Sequence, residues 1–146
     1  LNARIGMNSR LDSIQAAILI EKLAIFPEEI TMRQAVADRY ADGLKGSVLS
    51  TPAVIDGGQS VWAQYVIEHE NRDGLAAHLK TQGVPTAVYY PVPMHVQEPY
   101  AHFQQGAGGL AVTEALAEKV LALPMHPYMD EAVQQQIIDA VKGFNG

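Results

Sequence analysis

The run Ala16-Ala17-Ile18-Leu19-Ile20 constrains this chain more than any other part of it. With Leu11, Ile14, Leu23 and Ile25 it predicts a helix from about Leu11 to Ile25 that is apolar around most of its circumference. A helix on the surface of a single domain shows one apolar stripe, whereas a helix apolar on several faces has to be covered on several faces. The 146 residues suffice for one ordinary domain with a real core. One such domain covers one side of a helix readily and the others poorly. The first helix is therefore expected to lie against polypeptide outside this unit. The chain also opens on Leu1, in a stretch that reads as the middle of a loop, which points to a processed or truncated product.

The other elements follow from periodicity and punctuation. Ser9 and Asp12, three apart before the apolar run, suggest the cap of the first helix. Pro27 suits a first helical position, with Glu28 and Glu29 at the positive end of the dipole, so a second helix is expected from there to about Leu44. Val61–Ile67 is β-branched and aromatic, and predicts a strand. Asn71 caps a short helix that Gly83 ends, and Thr86–Tyr90 reads as a second strand closed by Pro91 and Pro93. Thr113 opens a helix carrying Leu116, Val120 and Leu121 and broken at Pro124; Asp130 opens the last, with Val133, Ile137, Ile138 and Val141 inward. The class is α+β, a small sheet with helices against it.

Composition removes several functions. A net charge of −6 without basic stripes is wrong for nucleic acid, and no segment approaches the apolar length of a membrane span. The absence of cysteine excludes disulfides and thiolate zinc sites, and fits the cytoplasm. The five histidines lack the spacing of a zinc helix, and His95 and His102 have no carboxylate at a useful separation, so no metal site is expected. Serine-nucleophile and phosphate-loop motifs are missing, and Gly106–Gly109 reads as a flexible loop.

Two constellations remain. Gly6-Met-Asn8-Ser-Arg10 precedes a helix start, where free N–H groups favour an anion; Asn8 could donate to a phosphate and Arg10 could fork onto a phosphate or carboxylate. On spacing alone, a simple cap with a solvated arginine outweighs that reading. Tyr89-Tyr90-Pro91-Val-Pro93-Met-His95 puts two phenols at a strand end beside a stiff loop, although one core and one surface tyrosine would account for the pattern too. Lys22, Lys45, Lys80, Lys119 and Lys142 fall on polar faces or last turns of helices, and none reads as the buried amine that Schiff-base chemistry needs.

Taken in order, several motifs resemble the sugar aminotransferases of the DegT/DnrJ/EryC1/StrS type. They are Gly6-x-Asn8-Ser-Arg10-Leu-Asp12-x-Ile-Gln15, Trp62-Ala-Gln-Tyr65, Arg72-Asp73, Gly83-Val-Pro-Thr86, Tyr89-Tyr-Pro-x-Pro-x-His95-x-Gln97 and Leu123-Pro-Met-His-Pro127. The sequence looks closest to the branch that aminates UDP-linked 3-keto-N-acetylglucosaminuronate, with glutamate as donor, for bacterial surface polysaccharide such as O-antigen. The resemblance implies the small C-terminal α+β domain of the aspartate-aminotransferase fold (fold type I), with residues 1–46 as linking helices and 47–146 as the small domain. It implies a homodimer with shared sites, in which Asn8 reaches the pyridoxal phosphate of the partner subunit and Arg10 contacts the sugar nucleotide. Tyr89 and Tyr90 would line the sugar pocket with His95 near it; relatives often carry His where Tyr89 stands. The cofactor-bearing lysine would lie outside this chain, in an N-terminal large domain, and no catalytic residue is expected within it. A free-standing domain kept for binding or assembly is the alternative, and an unrelated α+β binding domain a third.

Overall fold

The computed structural model describes residues 10–106 and 108–146. It opens with α1 (Ser13–Gly43), followed by β1 (Tyr65–Glu68), α2 (Arg72–Thr81), a 3-10 turn (Met94–Val96), α3 (Ala111–Lys119), β2 (Val120–Leu123) and α4 (Glu131–Lys142).

The first two expected helices are one. α1 is unbroken across Pro27, so that residue is interior rather than a helix start. Proline deprives the carbonyl four residues back of its donor, but the helix survives where its flanks are strong and side chains bridge the gap. Here Lys22 and Glu29 join across it at 2.7 Å. The cap also moves: Asp12, not Ser9, is the N-cap, accepting from the Gln15 amide while the Gln15 side chain accepts from the Asp12 amide. This reciprocal pair satisfies two otherwise orphaned donors.

β1 and β2 pair antiparallel, with Tyr65 opposite Leu123 and Glu68 opposite Val120. Single bridges extend the sheet by one residue on each side, Ser50 with Glu68 and Ala87 with Ala122. Three expectations change at this sheet. The strand predicted over Val61–Ile67 begins only at Tyr65, because Trp62 has a left-handed backbone (φ 47°) held by polar contacts to α1. Arg33 donates to the Trp62 carbonyl at 2.9 Å, and the indole N–H donates to Gln34 at 2.8 Å. Thr86–Tyr90 is no strand, only the Ala87 bridge; Pro85 and Pro91 remove the amides a longer ladder would use. Val120–Leu123, expected to continue a helix, is the second strand of the sheet. Its Leu121, Ala122 and Leu123 are all buried, and a short run buried on both faces has no periodicity to separate strand from helix.

The core lies between this sheet and the helices. α1 gives it Val36, Tyr40 and Leu44, β1 Tyr65 and Ile67, α2 Leu75 and Leu79, and α4 Ile137, Ile138 and Val141. α1 and α4 meet closely at Gly43, where a Cβ would stand 2.7 Å from Ile138 Cδ1. Two buried polar side chains find partners: Tyr40 donates to the Pro124 carbonyl at 2.9 Å, and Gln134 donates to the Val36 carbonyl at 2.8 Å while accepting from Arg39 at 2.6 Å. The helices capped by Asn71 and Asp130 are as expected, and Gly83 follows α2 with φ 75°.

Candidate functional site

From the Ala87 bridge the chain runs off the sheet edge into Tyr89 and Tyr90. Their rings meet edge to face at 5.8 Å, and the peptide between them is cis. Both are exposed, Tyr90 by 73 %. The alternative of one core and one surface tyrosine is therefore not what forms. Both rings border a cavity of about 640 Å³, walled by Val92, Pro93 and Met94 on the loop and by Thr113 and Leu116 of α3. Its walls are largely apolar, with phenol and hydroxyl tips to orient a ligand, the usual balance of a small-molecule site. Tyr89 also borders a second cleft, of about 360 Å³, shared with Gln64, Thr86 and Met125 on the outer side of the sheet. Its ring thus stands between two spaces.

The loop holding these walls is stiff. Gln97 Nε2 donates to the Val92 carbonyl at 2.9 Å, and the Val96 and Gln97 amides close the turn back onto Pro93 and Met94. His95 is not among the residues lining the cavity; it pairs with Glu114 of α3, its Nε2 2.9 Å from the carboxylate. The histidine side chain is nearly covered while the glutamate is half exposed. So His95 does have a carboxylate partner, one that lies 19 residues further along. No spacing rule finds such a pair, because the separation is set by the Pro-rich loop folding back over α3. His95 therefore pins the Tyr-Tyr-Pro loop to a helix.

The other candidates lie elsewhere. Arg10 is exposed, just ahead of α1. Asn8 lies outside the described residues. No described hydrogen bond or ion pair joins Arg10 to the tyrosines; the structure brings together Tyr89, Tyr90 and the loop of His95.

Lysines decide what chemistry is possible. Lys22 is paired with Glu29, Lys45 with Asp42 at 2.7 Å and Lys119 with Glu70 at 2.9 Å, while Lys80 and Lys142 are exposed on α2 and α4. None lines the cavity beside the tyrosines. A Schiff-base amine has to be desolvated next to its carbonyl, and none of these is. Among the described residues no group of His, Asp and Glu could hold a metal ion. The arrangement can bind and orient a ligand. No lysine is among the residues that line the cavity.

Residues 1–142 match the DegT/DnrJ/EryC1/StrS aminotransferase family. The chain belongs to that family. It is 47 % identical over 129 residues to the UDP-2-acetamido-2-deoxy-3-oxo-D-glucuronate aminotransferase of Pseudomonas aeruginosa, a match covering 88 % of this chain and 35 % of that protein. A DegT/DnrJ/EryC1/StrS aminotransferase from Brucella abortus superimposes with a TM-score of 0.90 at 51 % identity, over 99 % of this chain and 39 % of the other. DesV of S. venezuelae, solved in complex with a ketimine intermediate, gives 0.85 at 35 % identity, over 96 % and 38 %. The α+β architecture is thus that of DegT-type aminotransferases, as the motifs implied. The chain spans 35–39 % of the length of these relatives. Among the described residues no helix is long and apolar enough to cross a membrane.

Proposed function

We propose that this chain is the substrate-recognition part of a pyridoxal-phosphate-dependent sugar aminotransferase. In this reading the complete enzyme moves an amino group from glutamate to a UDP-linked ketosugar, UDP-2-acetamido-3-keto-glucuronate, for surface polysaccharide such as O-antigen. The observation that carries it is the Tyr89–Tyr90 cavity, built on a family member's motif yet served by no lysine.

Pyridoxal phosphate supplies an electron sink for moving an amino group. The described residues do not fit its covalent attachment, since every lysine is paired or exposed and none faces the cavity. The lysine that holds it belongs to polypeptide beyond Leu1–Gly146, as does a large domain, and the chain alone is inactive. What these residues do is bind and orient. Tyr89 and Tyr90 offer ring faces and hydroxyls to the sugar, and His95 fixes their loop through Glu114. Arg10 pairs with an anionic group of the sugar nucleotide, where a guanidinium matches a uronate by a two-pronged hydrogen bond. Asn8 donates to the cofactor phosphate. Residues 1–46 serve as the linking part and 47–146 as the small domain, joined through Tyr40 and Leu44. Both shared-site residues, Asn8 and Arg10, act across a homodimer, in the cytoplasm.

The test is calorimetric binding of UDP-2-acetamido-glucuronate to the complete enzyme and to its Tyr90→Ala and Arg10→Ala variants. Each substitution is expected to weaken binding at least tenfold without changing the fold. Wild-type affinity in both would refute the assignment.

A further inference from the structure

Pro27 stands inside α1, two residues before Glu29. A proline gives no N–H to the carbonyl one turn back and its ring crowds that carbonyl, so here a helix bends most readily. Three side chains straddle the point. Lys22 Nζ donates to Glu29 Oε1 at 2.7 Å, and the Tyr128 hydroxyl, from the loop before α4, donates to the same oxygen at 2.6 Å. Glu29 is 6 % exposed, yet both its donors sit largely in solvent. Their hydrogen bonds, Lys22 foremost, hold its carboxyl below the usual range. Lys22 and Glu29 are seven residues apart, about two turns, on one face of the helix.

Among the described residues, no hydrogen bond or ion pair ties α1 to any part of the chain after Gly43 before Glu29 is reached. From Glu29 onward Arg33, Arg39 and Tyr40 all do so. Glu29 is therefore where the outer half of the helix is moored, and Lys22 carries that mooring to the far side of the proline. An ion pair with one solvent-exposed partner adds little to stability. Its effect on direction is another matter. From Pro27 back to Ser13 the helix runs about 21 Å at ~1.5 Å per residue, so a bend of roughly 10° at the proline moves its start by about 4 Å. Arg10 stands just beyond that start. A misplacement of ~1 Å can cost a site on the order of a hundredfold.

We propose that Glu29, gripped by Lys22 and Tyr128, is a positioning residue that sets the angle of the outer half of α1 and thereby delivers Arg10 to the sugar nucleotide. The mooring stands on the geometry above; the delivery rests on Arg10 being a substrate contact. The experiment uses the complete enzyme with spin labels at A17C, on the outer half of α1, and A132C, on α4. With doubly labelled protomers diluted into an excess of unlabelled ones, so that each dimer carries one labelled protomer, wild type is expected to give one narrow interspin distance, broadened in Glu29→Ala and, less, in Tyr128→Phe. In unlabelled protein Glu29→Ala should raise KM for the UDP-ketosugar at least tenfold while KM for the amino donor holds, with Glu29→Gln recovering part of the loss through Tyr128. A distance distribution unchanged in both variants overturns the mooring. A broadened one with unchanged ketosugar KM overturns the delivery of Arg10. A complete protein without aminotransferase activity refutes the functional reading instead, and the distances then decide the mooring alone.

Discussion

The two halves of α1 share one helix and obey opposite rules. Beyond Pro27, Val36 and Tyr40 are sealed in the core, 1 % and 0 % exposed. Before it, Ile14 is 75 % and Ile18 60 % exposed, with Ile20 and Leu23 similar. Hydrophobicity does not distinguish the halves; partners do. Isolated apolar residues are common on protein surfaces, but a contiguous apolar face of this kind marks a place of contact. Within this chain the inner half is covered by the fold and the outer half is left exposed.

The largest expected effect comes from removing an inner side chain. Tyr40→Ala deletes a buried ring together with its hydrogen bond to Pro124, and should cost about 3–5 kcal/mol in denaturant unfolding of the chain. A small loss would mean that the halves are alike after all. Next in size, Tyr90→Ala should leave unfolding within roughly 0.5 kcal/mol, as an exposed site does, while costing the complete enzyme its ketosugar affinity. If stability fell instead, the ring would belong to the fold and not to a site.

Acid should act at the junction of the halves. The Glu29 carboxyl is lowered from its ordinary 4.5, mainly by the Lys22 hydrogen bond and then by Tyr128. A carboxylate lowered by folding stabilises fully above its unfolded value and loses that contribution as pH falls through the lower folded one. The wild-type chain should therefore lose stability below about pH 4.5 more steeply than Glu29→Gln, followed by thermal melts across pH 3–6. Identical profiles would show that the ion pair does not form. The smallest effect is expected for Ile18→Ala, within roughly 0.5 kcal/mol in this chain. The same change in the complete enzyme should cost distinctly more, because there the residue is covered. Equal costs would remove the contrast between the halves.

Much of this was legible in the sequence, and what escaped did so for identifiable reasons. Asn71 and Asp130 announced their helices because a cap is a local hydrogen bond between neighbours in sequence. The apolar circumference around Ile18 announced exposure that a single domain cannot hide. Pro27 misled because its local cost is real, while the bridging partners Lys22 and Glu29 are two turns apart. Val120–Leu123 misled because burial on both faces erases periodicity, and only pairing with Tyr65–Glu68 makes it a strand. At the site, Tyr89 and Tyr90 stood out as aromatic neighbours against prolines. Glu114 did not, since its tie to His95 exists only once the loop has folded over α3.

The reading depends most on where the cofactor is held. Borohydride reduction of the complete enzyme in the presence of pyridoxal phosphate, followed by peptide mapping, locates the attached lysine directly. The account predicts one stoichiometric adduct, on a peptide outside residues 1–146. A stoichiometric adduct on Lys22, Lys45, Lys80, Lys119 or Lys142 would contradict it.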